Sequence, residues 1–122
     1  MQSSAAVNWV EVASLDDLWE GEALDVEVDG EHVLIVHLPG GKVRAYQGVC
    51  PHQDYLLMDG EFDWEKGVLT CGAHHWQFRL EDGQALNPAN CQLFRYEVRV
   101  DGNRILLGVP AGLGRRYNRC RE

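Results

Sequence analysis

Cys50-Pro51-His52-Gln53 and Cys71-Gly72-Ala73-His74-His75-Trp76 are the two stretches on which the chain turns, with eighteen residues between His52 and Cys71. Each half offers one thiol and one imidazole, as Cys-x-His and then Cys-x-x-His. Two thiolates and two imidazoles at these intervals suit a structural zinc ion in tetrahedral S2N2 coordination. They suit equally a [2Fe–2S] cluster in which two histidines replace two cysteines on one iron. The first chemistry gives a non-redox interaction module and the second an electron carrier.

Both stretches follow short extended segments. Lys42 to Tyr46 reads as a strand that runs into Cys50, and Val68 to Thr70 as one that delivers Cys71. Pro51 fixes φ between the first two ligands. Upstream, Val7 to Val12 alternates apolar and polar residues as a strand does, and Ser14 to Trp19 carries a capping signal for a short helix. Ala23 to Val28 and Glu31 to Leu38 flank Asp29-Gly30, a two-residue hairpin signal. Val33 to Val36 is apolar without interruption, which predicts burial on both faces. Downstream, Glu81-Asp82-Gly83 turns the chain, and Phe94 to Val100 and Arg104 to Val109 form a hairpin around Asp101-Gly102. The expectation is an all-β domain, an antiparallel β-sandwich of short strands with a subdomain of two ligand loops projecting from one end. It occupies residues 1–110 and leaves 111–122 as a Gly-rich, then basic, C-terminal tail.

A chain of 122 residues is long enough to build a core without metal. That weakens the case for structural zinc, whose small domains fold around the ion. Thiolates committed to metal belong in a reducing compartment, and the first residues lack a signal peptide, so a cytoplasmic location is expected. No apolar run reaches the length of a membrane span. The net charge of −8 disfavours nucleic acid and anionic membranes and favours a partner with a basic face.

The order Cys50, His52, Cys71, His74, on loops of an all-β domain, resembles the Rieske [2Fe–2S] family. The resemblance extends through Ser14 to Glu22, Val33 to Val36, Val43 to Gln47, Ala73 to Trp76 and Asn87-Pro88, covering roughly residues 9–110. Over that span the chain looks like the Rieske ferredoxins of multicomponent toluene and alkene monooxygenases. The interval between ligand pairs is slightly longer here, around Phe62 to Lys66, and the basic tail has no counterpart. By this resemblance Cys50 and Cys71 bind the inner iron and His52 and His74 the outer one, with one cluster per chain. It also implies an electron carrier between an NADH-dependent reductase and a non-haem diiron hydroxylase of alkenes or aromatic hydrocarbons. The neighbouring alternative is the ferredoxin of an aromatic-ring dioxygenase. The chain has no helical carboxylate–histidine set of its own for oxygen activation, so it is not expected to be an enzyme.

High-potential members carry an extra cysteine in each ligand loop and hydroxyl donors to the cluster sulfurs. Here Ala73 stands at one cysteine position, and Trp76 and Phe78 replace the hydroxyls. Hydrogen bonds to sulfur raise the potential, so the expectation is the low end of the roughly −150 to +300 mV Rieske range. His75, beside a ligand, points away from it in an extended loop. His32 and His37 read as ordinary strand residues far from the motif, Cys91 as a packed thiol and Cys120 as a tail thiol. Trp9, Trp19 and Trp64 read as packing residues, and Asp54, Asp59, Glu61, Asp63 and Glu65 as a solvated acidic face.

Overall fold

The computed structural model describes residues 7–51, 55–72, 76–87 and 91–110. Ten strands run in chain order: β1 (Val7–Ser14), β2 (Glu22–Val28), β3 (Glu31–His37), β4 (Val43–Gln47), β5 (Glu61–Asp63), β6 (Val68–Thr70), β7 (Gln77–Arg79), β8 (Ala85–Asn87), β9 (Arg95–Asp101) and β10 (Arg104–Pro110). A single 3-10 turn, Leu57–Asp59, precedes β5. There is no α-helix among the described residues, and none of their segments is a helix long and apolar enough to cross a membrane.

The strands form two antiparallel sheets. One has six strands in the order β1-β10-β9-β4-β3-β2, the other four in the order β5-β6-β7-β8. The expected antiparallel β architecture is therefore present. The four-stranded sheet carries the second of the two expected loops, after β6, and the first leaves β4 of the six-stranded sheet.

Two apolar cores explain the uninterrupted run in β3. Val33 and Ile35 point into one core with Leu18, Val43, Ala45, Tyr96, Ile105, Leu107 and Val109. Leu34 and Val36 point the other way, into a core shared with Tyr46, Leu57, Leu69, Phe78 and Leu80. Side chains alternate along a strand, so a strand standing between two cores must be apolar at every position. All four residues have no exposed surface. Burial of each is worth roughly 1.5–3 kcal/mol. The first core also receives Val12 and Ala13 from β1 and Leu24, Val26 and Val28 from β2. Since β1 and β2 are the two edges of the six-stranded sheet, that sheet curls upon itself.

The turns follow their chemistry. Asp29 and Gly30 have φ of 53° and 82°, the left-handed pair that a tight hairpin of right-twisted strands requires. The last hairpin pairs Asp101 with Arg104, which leaves Gly102 and Asn103 as its two-residue turn, one position later than the sequence signal suggested.

Ser14 to Trp19 is a turn and not a helix. Its Asp17 amide donates to the Ser14 carbonyl at 2.9 Å and its Asp16 amide to Ser14 Oγ at 3.1 Å. Leu18 is then drawn into the core, and the chain must leave for β2 before a helix can propagate. Strands β5, β7 and β8 hold three residues each, too few for a period to declare itself.

Candidate metal centre

Cys50 follows β4 and Cys71 follows β6, so the two sheets deliver one cysteine each. Both thiols are 1 % exposed, lie in the same core cluster and are in no disulfide. The two loops close in the same way. The Cys50 amide donates to the Tyr55 carbonyl at 2.8 Å, and the Cys71 amide donates to the Trp76 carbonyl at 2.7 Å. In each case the partner lies five residues on, and the candidate histidine falls inside the closed loop. His52, His74 and His75 lie outside the described residues, as do Gln53, Asp54, Ala73 and Pro88.

The root of the first loop is fixed by a residue that the sequence did not single out. Gln47 is the one buried polar side chain, 1 % exposed, among the described residues. Its Nε2 donates to the Val49 carbonyl at 2.8 Å, and its Oε1 accepts the Phe94 amide at 2.8 Å. Its own backbone amide donates to the Phe94 carbonyl at 2.9 Å. A glutamine at a strand end gives no sequence signal of this role, because one of the two groups it satisfies, the Phe94 amide just before β9, arrives from 47 residues away. The Leu57 amide donates to the Gly48 carbonyl at 2.9 Å, and a bridge between Val49 and Leu56 completes the loop's base.

The second loop is the connection of the β6–β7 hairpin, whose last pair is Thr70 with Gln77. Trp76 is 3 % exposed and its ring lies 6.4 Å from that of Phe78, which is wholly buried. These two aromatics wall the cysteine side of the site and offer no hydroxyl.

Packing agrees with some of the other expectations and revises others. Trp64 is partly buried, stacked on Phe62 at 5.2 Å, and packs against the core. Trp9 lies under the Arg99 guanidinium at 4.4 Å. Trp19, expected to pack, is 67 % exposed; its indole nitrogen donates to the Asp16 carbonyl at 3.2 Å. Cys91 is buried as expected but is disulfide-bonded and not a thiol. Cys120 lies outside the described residues. Asp59, Glu61, Asp63 and Glu65 face solvent. His37 Nδ1 donates to the Leu18 carbonyl at 2.9 Å. His32 is close to the motif in space, since its carbonyl accepts the Gly48 amide at 2.9 Å.

Two buried thiols outside any disulfide, on two like-closed loops, are donors of the kind that an iron–sulfur cluster takes, in surroundings screened from water. The pattern of the family described as "Rieske [2Fe-2S] domain" matches residues 8–97. The chain is 45 % identical, over 103 residues, to the ferredoxin component of the alkene monooxygenase system of Xanthobacter autotrophicus, covering 84 % of this chain and 83 % of that one. It is 28 % identical, over 82 % of this chain and 94 % of the other, to the ferredoxin component of the naphthalene 1,2-dioxygenase/salicylate 5-hydroxylase systems of a Ralstonia species. Among solved structures, the ferredoxin of carbazole 1,9a-dioxygenase from Nocardioides aromaticivorans superposes with a TM-score of 0.73 at 31 % identity, over 88 % of this chain and all of that one.

Proposed function

The chain belongs to the Rieske [2Fe–2S] domain family, and on that premise we propose that it is the ferredoxin of a multicomponent monooxygenase. It takes single electrons from an NADH-dependent flavin/iron–sulfur reductase and passes them to a non-haem diiron hydroxylase of alkenes or aromatic hydrocarbons. Cys50, His52, Cys71 and His74 hold one cluster, within a domain spanning residues 1–110 that carries the tail 111–122, and the carrier works in the cytoplasm. The identity to the alkene monooxygenase ferredoxin, well above that to the dioxygenase ferredoxins, supports the monooxygenase system over a ring dioxygenase.

When bound, the cluster supplies reversible one-electron uptake. The residues of this chain do the rest. Cys50 and Cys71 would hold one of its irons as thiolates in an apolar wall, where Trp76 and Phe78 exclude water. The amide-to-carbonyl closures at Tyr55 and Trp76 fix the base of each loop. His52 and His74 would hold the other iron, the one from which an electron would pass to a partner. With aromatic rings where hydroxyl donors would raise the potential, the midpoint lies toward the low end of roughly −150 to +300 mV, within reach of a flavin reductase.

The observation that carries this reading is the pair of buried cysteines heading like-closed loops in a chain of this family. Anaerobically purified protein should be coloured, hold two irons per chain and give an EPR signal after dithionite reduction. A colourless protein with one zinc per chain would support the interaction-module alternative instead. Reconstituted NADH-dependent turnover should be faster with a diiron hydroxylase than with a ring dioxygenase; the reverse order would favour the dioxygenase assignment.

A further inference from the structure

The chain has four cysteines, Cys50, Cys71, Cys91 and Cys120. Three of them are buried in one core cluster, Cys50 and Cys71 each 1 % exposed and Cys91 5 %. They are not in the same chemical state. Cys50 and Cys71 are free thiols, whereas Cys91 is disulfide-bonded. With those two excluded, a partner for Cys91 within the chain can only be Cys120, in the basic tail outside the described residues.

Cys91 is the fixed end of such a bond. Its carbonyl accepts the Ala85 amide at 2.9 Å, and a bridge joins Gln84 to Gln92 beside it. Gln92 Nε2 then donates to the Asp82 carbonyl at 2.7 Å, which ties the same segment to the β7–β8 turn. The cysteine therefore belongs to the four-stranded sheet. Cys120 has the reach to meet it. It stands ten residues beyond Pro110, the end of β10. Ten extended residues span roughly 33 Å, against a radius of gyration of about 13 Å for a domain of this size. Charge favours the approach. Residues 1–110 carry eighteen carboxylates against seven lysines and arginines, while the tail carries Arg115, Arg116, Arg119 and Arg121 with only Glu122 opposing. Attraction of this kind raises the local concentration of the tail at the body of the protein.

We propose that Cys91 and Cys120 form an intrachain disulfide that ties the basic tail to the four-stranded sheet, and that small thiols of the cell make and break it by exchange. One cysteine thiolate attacks a sulfur of a low-molecular-weight disulfide such as oxidised glutathione; a mixed disulfide forms and one small thiol leaves. The second cysteine thiolate then attacks the protein sulfur of that mixed disulfide and displaces the other small thiol. The two cysteines are oxidised, the small disulfide is reduced to two thiols, and the two cysteine protons pass to them. Reduction runs the same steps backwards and frees the tail. The reversibility rests on the cytoplasmic reading above, because disulfides in that compartment are mostly transient and redox-responsive. The pairing itself does not rest on it, nor on the electron-carrier reading.

The test counts free thiols on the full chain. Protein purified without reductant and denatured in excess N-ethylmaleimide should take two labels, at Cys50 and Cys71, and four after reduction. Trypsin should release residues 80–95, which contain Cys91, joined to the dipeptide Cys120-Arg121. Cys120→Ser should take three labels without reduction and melt several degrees lower than the unmodified chain, because the closed loop is lost. Folded protein held in mixtures of reduced and oxidised glutathione should pass from two labels to four as the reduced form rises, and return when the oxidised form is restored. Four labels before any reduction, a link between two chains, or a single label on Cys120→Ser would overturn the pairing. Two labels in every glutathione mixture would overturn the exchange and leave a permanent bond. None of these outcomes touches iron content or the EPR signal, by which the electron-carrier reading stands or falls.

Discussion

The ring of Tyr55 lies against Gly72, with Cε1 3.5 Å from the point where a Cβ of Gly72 would stand. Tyr55 thus joins the two ligand loops, its carbonyl closing the first and its ring covering the second. It is 43 % exposed, and Met58, on the adjoining 3-10 turn, is 36 % exposed. Aromatic side chains held rigidly at a surface are common anchors of interfaces, and truncating one costs more than about 1 kcal/mol. Tyr55→Ala should therefore raise several-fold the ferredoxin concentration giving half-maximal hydroxylase turnover, while the midpoint potential holds. An unchanged concentration dependence would remove Tyr55 from the docking face.

Gln47 serves two buried backbone groups at once. Gln47→Leu keeps the volume and leaves the Phe94 amide and Val49 carbonyl without their side-chain partner, at a cost of roughly 1–3 kcal/mol. The urea midpoint should fall accordingly. Cluster loss on standing should also accelerate, because Val49 precedes Cys50.

Gly60 packs directly on the Thr70 carbonyl, leaving no space for a Cβ, and the Leu57 carbonyl crowds the same point at 3.2 Å. Both obstacles are backbone and neither can rotate aside. Gly60→Ala should push β5 from β6, lower stability by roughly 2–4 kcal/mol and reduce the iron bound per chain. A variant with unchanged melting temperature would show that the strand can shift without loss.

Arg79 and Asp82 pair across the β7–β8 turn, and Asp82 Oδ1 also accepts the Gln84 amide at 3.0 Å. The arginine hydrogen bond holds the Asp82 pKa below its ordinary value. A carboxylate with a lowered folded pKa adds stability above its unfolded pKa of about 3.9 and loses it as the pH falls through the folded value. Asp82→Asn should therefore lower the melting temperature slightly at pH 7, less at high salt because the pair is exposed. The difference should fade in acid as the pH falls through the lowered folded pKa.

Iron removal should spare the six-stranded sheet. Its own core, from Leu18 to Val109, contains none of the candidate ligands. Chelation under reducing conditions should abolish the visible absorption and leave the far-ultraviolet β signal. Collapse of that signal would mean that the metal is needed to fold the chain.

The features legible in the sequence are those carried by local chemistry. Asp29-Gly30 names its own turn, the unbroken run from Val33 to Val36 announces a strand with two buried faces, and the Cys-x-His and Cys-x-x-His spacings mark the loops. Features that depend on what arrives from elsewhere were not legible. Gln47 matters because Phe94 lies beside it. The capping pattern at Ser14 was overruled by the burial of Leu18, and the three-residue strands β5, β7 and β8 exist through pairing and not propensity. Cys91 looks like a simple core thiol in sequence because its spacing carries no sign of a disulfide.

β3 belongs to both cores, and so the two sheets have no seam along which to part. A domain whose halves meet at an ordinary interface can lose one half and keep the other; here, stripping the ligand-bearing sheet away would lay bare Leu34 and Val36, and loosening the larger sheet would unseat Val33 and Ile35. The chain should accordingly melt in a single cooperative transition, and residues 48–93 expressed alone should not fold. For a carrier that meets two partners in turn, this shared strand makes the ligand loops as durable as the whole molecule.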